Sequence, residues 1–242
     1  MRNLIIDIGN TRTKTALFSG QEVLWEEDFG NLGQVASFVQ KEKFDNAIMS
    51  SVKWDKGELK DVFQFDFLFL DFQTSLPIKN NYQSPQTLGL DRVAAAVGAW
   101  ALAGKGPVLG IDLGTCITYE FVDPKDNYLG GGISPGLQMR LLAMHQQTAK
   151  LPLASISTEE LSPELIGGDT LSCLKSGVYH GTKQELEGII KEYQSSYKDL
   201  RVYICGGDAK FFESLTKDYI FVIPNLVLYG LNRILIYNVD KN

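Results

Sequence analysis

Two short stretches, one in each half of the 242-residue chain, hold residue types and spacings that can do chemistry. In "IIDIGNTRTKTALF" and "GIDLGTCITYEFV" an apolar run ends in an aspartate, Asp7 or Asp112. A glycine follows two residues later, Gly9 or Gly114, and then come hydroxyl side chains. A carboxylate at the tip of a buried strand costs several kcal/mol unless a cation, a hydrogen-bond network or a ligand meets it. Glycine turns let backbone N–H groups point at phosphate oxygens, and Asn10, Thr11 and Thr115 add side-chain donors. Two such carboxylates facing one cleft are useful if a cation lies between them and a phosphate. Phosphoryl transfer fits this set, because it needs positioning and charge neutralisation more than covalent chemistry. The Walker pattern and the protein-kinase glycine loop are both absent from the sequence.

These residues need strands to carry them, and the apolar pattern supplies them. Alternation predicts strands at 3–8, 13–18 and 22–28, a helix near 34–43, and further strands at 47–52 and through "FLFLD". Residues 74–88, with Pro77 and Pro85, read as a long loop of the kind that is often functional. A helix of small residues is predicted at 91–102, after which the strand-turn-strand unit starts again. One unit appearing twice, too far apart for a solenoid, predicts two homologous lobes across a cleft. Beyond it, "GGGISPG" feeds an amphipathic helix, and "RVYICGGDAKFF" is a strand whose Gly206-Gly207 pair permits close approach to a flat ligand. A helix at 226–237 is expected to cap the second lobe, and Met139 and Leu142 are expected in its core.

Composition excludes several classes. The chain is 44% hydrophobic and 21% charged, ordinary for a globular protein. Its net charge of −6 argues against a nucleic-acid partner. No apolar run approaches the ~20 residues of a membrane span, and no leader pattern opens the chain, so the expected location is the cytoplasm with no membrane partner. Cys116, Cys173 and Cys205 show no paired spacing and are expected to be small buried hydrophobes.

The ordered set "DIGNTRTK" (Asp7–Lys14), "GLDR" (Gly89–Arg92), "IDLGTCIT" (Ile111–Thr118), "GGGISPG" (Gly130–Gly136) and "CGGD" (Cys205–Asp208) resembles the type III pantothenate kinases. These belong to the superfamily of sugar kinases, the heat-shock ATPase and actin. The resemblance spans nearly the whole chain, and "GLDR" between the two aspartate turns is its most specific part. It implies an α/β fold of two homologous actin- and ribonuclease H-like lobes, each a mixed sheet flanked by helices. The lobes are expected at residues 1–105 and 106–242. The implied reaction is ATP-dependent phosphorylation of pantothenate to 4′-phosphopantothenate, the first step of coenzyme A biosynthesis, by a phosphotransferase with an alcohol acceptor.

The resemblance also implies residue roles. Asp7, Ile8, Gly9, Asn10, Thr11, Arg12, Thr13, Lys14 and Thr115 would bind ATP with Mg2+, and Asp112 a monovalent cation, K+ or NH4+. Tyr82, Gly89, Leu90, Asp91, Arg92 and Thr170 would hold pantothenate, with Arg92 matching its carboxylate, and Asp91 would be the general base. Cys205–Asp208 matches the adenosine-side motif. Relatives are homodimers whose pocket the second subunit completes.

Plainer readings of the same residues stand beside these. Asp91 suits a helix N-terminus as a cap, Lys14 a solvated strand position, Thr170 and Asp169 another helix start, and Tyr82 simple packing. His145 and His180 show no partner spacing. A non-catalytic family member acting as a transcriptional accessory or binding protein is the alternative to the enzyme.

Overall fold

The computed structural model describes residues 1–10, 12–157 and 162–241. Its elements in chain order are β1 (Arg2–Ile8), β2 (Thr13–Ser19), β3 (Glu22–Phe29), α1 (Leu32–Val39), β4 (Asn46–Ser51), α2 (Lys56–Val62), β5 (Leu68–Phe69) and β6 (Lys79–Asn80). There follow α3 (Leu90–Ala103), β7 (Val108–Leu113), β8 (Cys116–Val122), β9 (Asn127–Pro135), α4 (Leu137–Gln147), α5 (Thr170–Ser196), β10 (Arg201–Cys205), β11 (Ile220–Val222) and α6 (Leu226–Val239).

The repeat seen in the sequence is a repeat of topology. One sheet has the order β3-β2-β1-β4-β5, and the other has β11-β10-β7-β8-β9-β6. In each, an inner strand forms a hairpin with its successor and pairs in parallel with a later strand: β1 with β2 and β4, β7 with β8 and β10. The two hairpin turns therefore sit at matching positions. The 74–88 stretch is a loop with one function in the fold, because β6 adds a two-residue edge to the second sheet beside β9.

The period of two along a strand decides which way each aspartate faces. Leu4, Ile6 and Ile8 pack under α1 and α2, while Ile5 packs on the other side with α3 and α6. Asp7 shares the face of Ile5. In β7, Leu109, Ile111 and Leu113 join the core beneath α4 and α5, while Val108 joins the α3–α6 core. Asp112 shares the face of Val108. Both aspartates thus lie on the sheet faces that sandwich α3 and α6.

Those two helices cross at small residues. A Cβ on Gly230 would collide with the Ala94 carbonyl, and one on Gly98 with the Leu226 carbonyl. Helix α6 does not cap the second lobe as expected. It packs mainly on α3 and on β1, β2 and β4 of the first sheet, because its apolar residues belong to the core between the sheets. Met139 and Leu142 are not core either: each is 38% exposed, on the outer side of α4. Of the cysteines only Cys205 is buried, while Cys116 is half-buried and Cys173 exposed. Among the described residues no helix is long and apolar enough to cross a membrane.

Candidate active site

Asp91 occupies the first turn of α3, where the helix N-terminus favours a carboxylate. The cap itself is Gly89, and Asp91 Oδ1 accepts the Arg92 backbone N–H at 2.8 Å. Gly89 has an ordinary backbone conformation, but a Cβ on it would collide with Asp91 Oδ1. The side chain of Asp91 remains exposed. It opens onto a cleft of about 410 Å3 lined by Asn10, Asp91, Arg92, Asp112, Thr115 and Cys116, among others. The cleft therefore joins residues of both aspartate turns to the start of the helix between them.

Asp7 pairs in register with Lys14 across the first hairpin, and Asp112 with Thr118 across the second. Burial pushes the Asp7 pKa up to about 6; the Ser50 hydroxyl opposes this, the Asp91 charge adds to it, Lys14 opposes it and Asp112 adds again. Burial likewise raises Asp112, with Lys14 opposing and Asp91 adding. Three carboxylates thus feel one another and the Lys14 ammonium. Lys14 Nζ donates to Asn225 Oδ1 at 2.7 Å, and Asn225, at φ 56°, donates in turn to Glu26 at 2.6 Å. Lys14 is therefore neither a solvated lysine nor locked in an ion pair, and its charge reaches both aspartates.

The two glycine turns are closed by their own backbone hydrogen bonds. The Gly9 N–H donates to the Arg12 carbonyl at 3.0 Å, and Lys53 holds the Asn10 carbonyl. Asn10 is exposed at the turn, Ile8 and Thr13 are buried in the strands beside it, and Arg12 makes an exposed ion pair with Asp28. Thr11 lies outside the described residues. In the second turn Gly114 donates to the Cys116 carbonyl at 3.1 Å, and Gly136 donates to the Thr115 carbonyl at 3.1 Å, so "GGGISPG" backs the Thr115 turn. Gly206 stands at φ 98°, where a Cβ would strike Asp112 Oδ1 and the Leu113 carbonyl. The "CGGD" glycine is thus required beside Asp112, both by conformation and by space.

At the start of α3, Leu90 is half-buried and Arg92 is buried. Arg92 is not an open fork: Nε and Nη2 donate to the two Glu120 oxygens at 2.6 and 3.0 Å. Burial works against its charge, but Glu120 outweighs that and holds the Arg92 pKa above its ordinary value. The Tyr82 ring lies beneath the Arg92 guanidinium, 5.6 Å from its centre. Thr170 is not brought to this cleft. It opens α5 after the Asp169 cap and lines a separate groove of about 390 Å3 with Arg140, Met144 and Leu174. His145 and His180 bond to the Leu151 and Pro163 carbonyls and serve the fold.

Because Glu120 already neutralises Arg92, Lys14 faces a surplus of negative charge, and that surplus fits cations. Among the described residues no group of three or more His, Cys, Asp or Glu forms a ready-made metal cage. A divalent ion would therefore be held largely by phosphate oxygens and water, as is usual for magnesium. Sequence reasoning missed Ser50, Glu120, Tyr128 and Asn225. A buried position for Glu120 in the middle of an apolar strand was the signal that could have found one of them.

Residues 3–192 match the family model of type III pantothenate kinase. A type III pantothenate kinase from Cytophaga hutchinsonii is 44% identical over 239 residues, covering 98% of this chain and 100% of that one. Another from Bacteroides fragilis is 43% identical, covering 98% of each. Among solved structures, a protein from Campylobacter jejuni described as a Baf family transcriptional activator superposes with a TM-score of 0.65 at 20% identity, covering 98% and 99% of the two chains. The ROK hexokinase from Thermus thermophilus gives 0.57 at 12% identity, with both chains covered in full. At those identities the two structures establish the shared fold, two lobes of mixed sheet and helices.

Proposed function

The chain belongs to the type III pantothenate kinase family, and from that premise we infer that it transfers the γ-phosphoryl group of ATP to the 4′-hydroxyl of pantothenate, the first step of coenzyme A biosynthesis. The observation that carries the site assignment is the convergence of Asp91, Asp112 and both glycine turns on one cleft.

In this reading the lobes, divided in sequence near residues 105 and 106, hold ATP between the Asp7–Lys14 turn and Thr115. The Gly9 and Gly114 N–H groups being held by carbonyls within the turns, the side chains of Asn10 and Thr115 offer donors to the phosphates, with Lys14 near them. Asp91 accepts the hydroxyl proton at Oδ2, its Oδ1 being occupied by the Arg92 N–H. As the proton leaves, the substrate oxygen forms its bond to the γ-phosphorus, and the bond to the ADP oxygen breaks with its electron pair leaving on ADP. A weak base suffices, because in a loose transition state the proton moves late and orientation matters more. Asp112 would hold the monovalent cation, potassium or ammonium, and Asp7 would face a phosphate-bound magnesium through water. When bound, these ions supply neutralisation of the phosphate charge.

Tyr82, Gly89, Leu90 and Arg92 form the pantothenate side. Thr170 lines its groove with apolar Met144, Leu151, Leu174 and Val178, and Leu171, next to it in sequence, is exposed, as are Met139 and Leu142 of α4. A groove lined mainly by apolar side chains beside an exposed leucine suits an interaction surface. This supports a homodimer in which the partner subunit's Thr170 completes the site. The acidic balance supports a reading without a nucleic-acid partner, and a cytoplasmic enzyme is part of the same proposal.

The test is incubation of the purified protein with ATP, magnesium, potassium and pantothenate, with the product identified by mass and phosphorus NMR. Expected is 4′-phosphopantothenate in step with ADP. A folded protein that makes none would overturn the assignment.

A further inference from the structure

Glu120 is fully buried in the middle of β8, yet it is an acid. Two groups from two other elements meet it. Arg92 of α3 grips it with two N–H bonds, and the Tyr128 hydroxyl of β9 donates to Oε2. The Tyr128 ring, itself fully buried, stacks on Tyr82 at 6.2 Å and 16°. Tyr82 is seated by Gly130, which stands at φ 94°, where a Cβ would lie 2.9 Å from the Tyr82 ring. Tyr82 in turn lies under Arg92. The circuit Glu120–Arg92–Tyr82–Tyr128 closes on itself.

Such a circuit is a poor device for stability alone. Replacing a buried ion pair with apolar side chains of similar volume is often neutral or stabilising. What a bidentate pair does supply is a fixed plane for the guanidinium. Glu120 uses two of the five guanidinium N–H donors, and Arg92 lines the cleft next to Asp91. Neither Glu120 nor Tyr128 lines that cleft.

We propose that Glu120, held by Tyr128, is a positioning residue for the acceptor half of the site: it fixes the Arg92 guanidinium and, through it, the Tyr82 ring and the first turn of α3 that carries Asp91. The proposal rests on the pantothenate kinase reading. It assigns the pair a role in substrate placement and none in nucleotide binding, since ATP is held by the two glycine turns.

The experiment is steady-state kinetics of wild type, Glu120→Gln, Glu120→Asp and Tyr128→Phe, each varied in pantothenate and in ATP, with circular dichroism to verify folding. Expected for Glu120→Gln is a rise in KM for pantothenate of about ten-fold or more, because small misplacements of a binding group are costly, with KM for ATP within about two-fold. Glu120→Asp, which keeps the charge, recovers part of the loss. Tyr128→Phe keeps the ion pair and shifts the same parameter in the same direction by a smaller factor. It decides the matter if Glu120→Gln does not fold. An active wild type whose folded variants keep the wild-type KM for pantothenate, or lose both KM values equally, overturns the proposal alone. A wild type that does not phosphorylate pantothenate overturns the reading beneath it and the proposal with it.

Discussion

Asp7 and Asp112 are equivalent residues of the two sheets: each is the penultimate residue of the inner strand that leads its hairpin, and each shares a face with residues packed against α3 and α6. Asp91, in the first turn of α3, couples electrostatically to both. The helix start is therefore the place where the two lobes deliver their carboxylates, and the first consequence is electrostatic.

In the ligand-free protein Asp7 holds its proton up to about pH 6, well above the ordinary carboxylate range. Folding thus favours the protonated form. Its contribution to stability is complete below the unfolded pKa and is lost as pH rises through 6. The penalty at neutral pH is roughly 3 kcal/mol. Asp7→Asn removes the penalty, so the variant melts higher than wild type near pH 7.5, and the difference shrinks towards pH 4.5. Thermal melts of both ligand-free proteins across that range check it; a difference independent of pH would contradict it.

Gly89 lacks a side chain because Asp91 Oδ1 occupies the space. Gly89→Ala should displace the Asp91 carboxylate without straining the backbone. The expected outcome is a loss of kcat of about ten- to a hundred-fold with only a small change in Tm. Kinetics and a melt on one sample decide it; unchanged kcat would mean that the carboxylate position does not matter.

The contact between α3 and α6 tolerates no side chain at Gly230, whose Cβ would meet the Ala94 carbonyl. Gly230→Ala must push the helices apart and should cost roughly 3 kcal/mol, lowering Tm by about 10 °C. A urea titration measures this directly, and a loss below about 1 kcal/mol would show that the crossing is looser than the structure has it.

Leu171 is 44% exposed in the first turn of α5, next to Thr170. If this face joins two subunits, Leu171→Glu should yield monomers by sedimentation and raise KM for pantothenate. A dimer that survives the change would place the interface elsewhere.

Much of this was legible in the residues. The apolar-Asp-apolar-Gly pattern located β1 and β7, because strand alternation and glycine turns are local properties. The two sites least visible in advance depend on partners far along the chain. Arg92 reads as a fork open to a carboxylate until Glu120, 28 positions on, is found inside it. Helix α6 reads as a cap for the strands before it, yet its apolar residues are shared with Ile5 and Ile48 of the first sheet. Met139 and Leu142 show helical spacing, but that period cannot say whether an apolar face meets the core or another molecule. Thr170 belongs to a groove away from Asp91, and no pattern in one chain shows what a second copy would bring to it.

In the proposed reaction Asp91 takes the acceptor proton in a cleft whose charge a cation at Asp112 balances. The most direct test is the rate of ATP-dependent pantothenate phosphorylation by wild type and Asp91→Asn, in potassium and in sodium at equal ionic strength. Expected are turnover by wild type in potassium, little in sodium, and a loss of about 10²- to 10⁴-fold in a folded Asp91→Asn protein. Near-normal turnover by Asp91→Asn would contradict it.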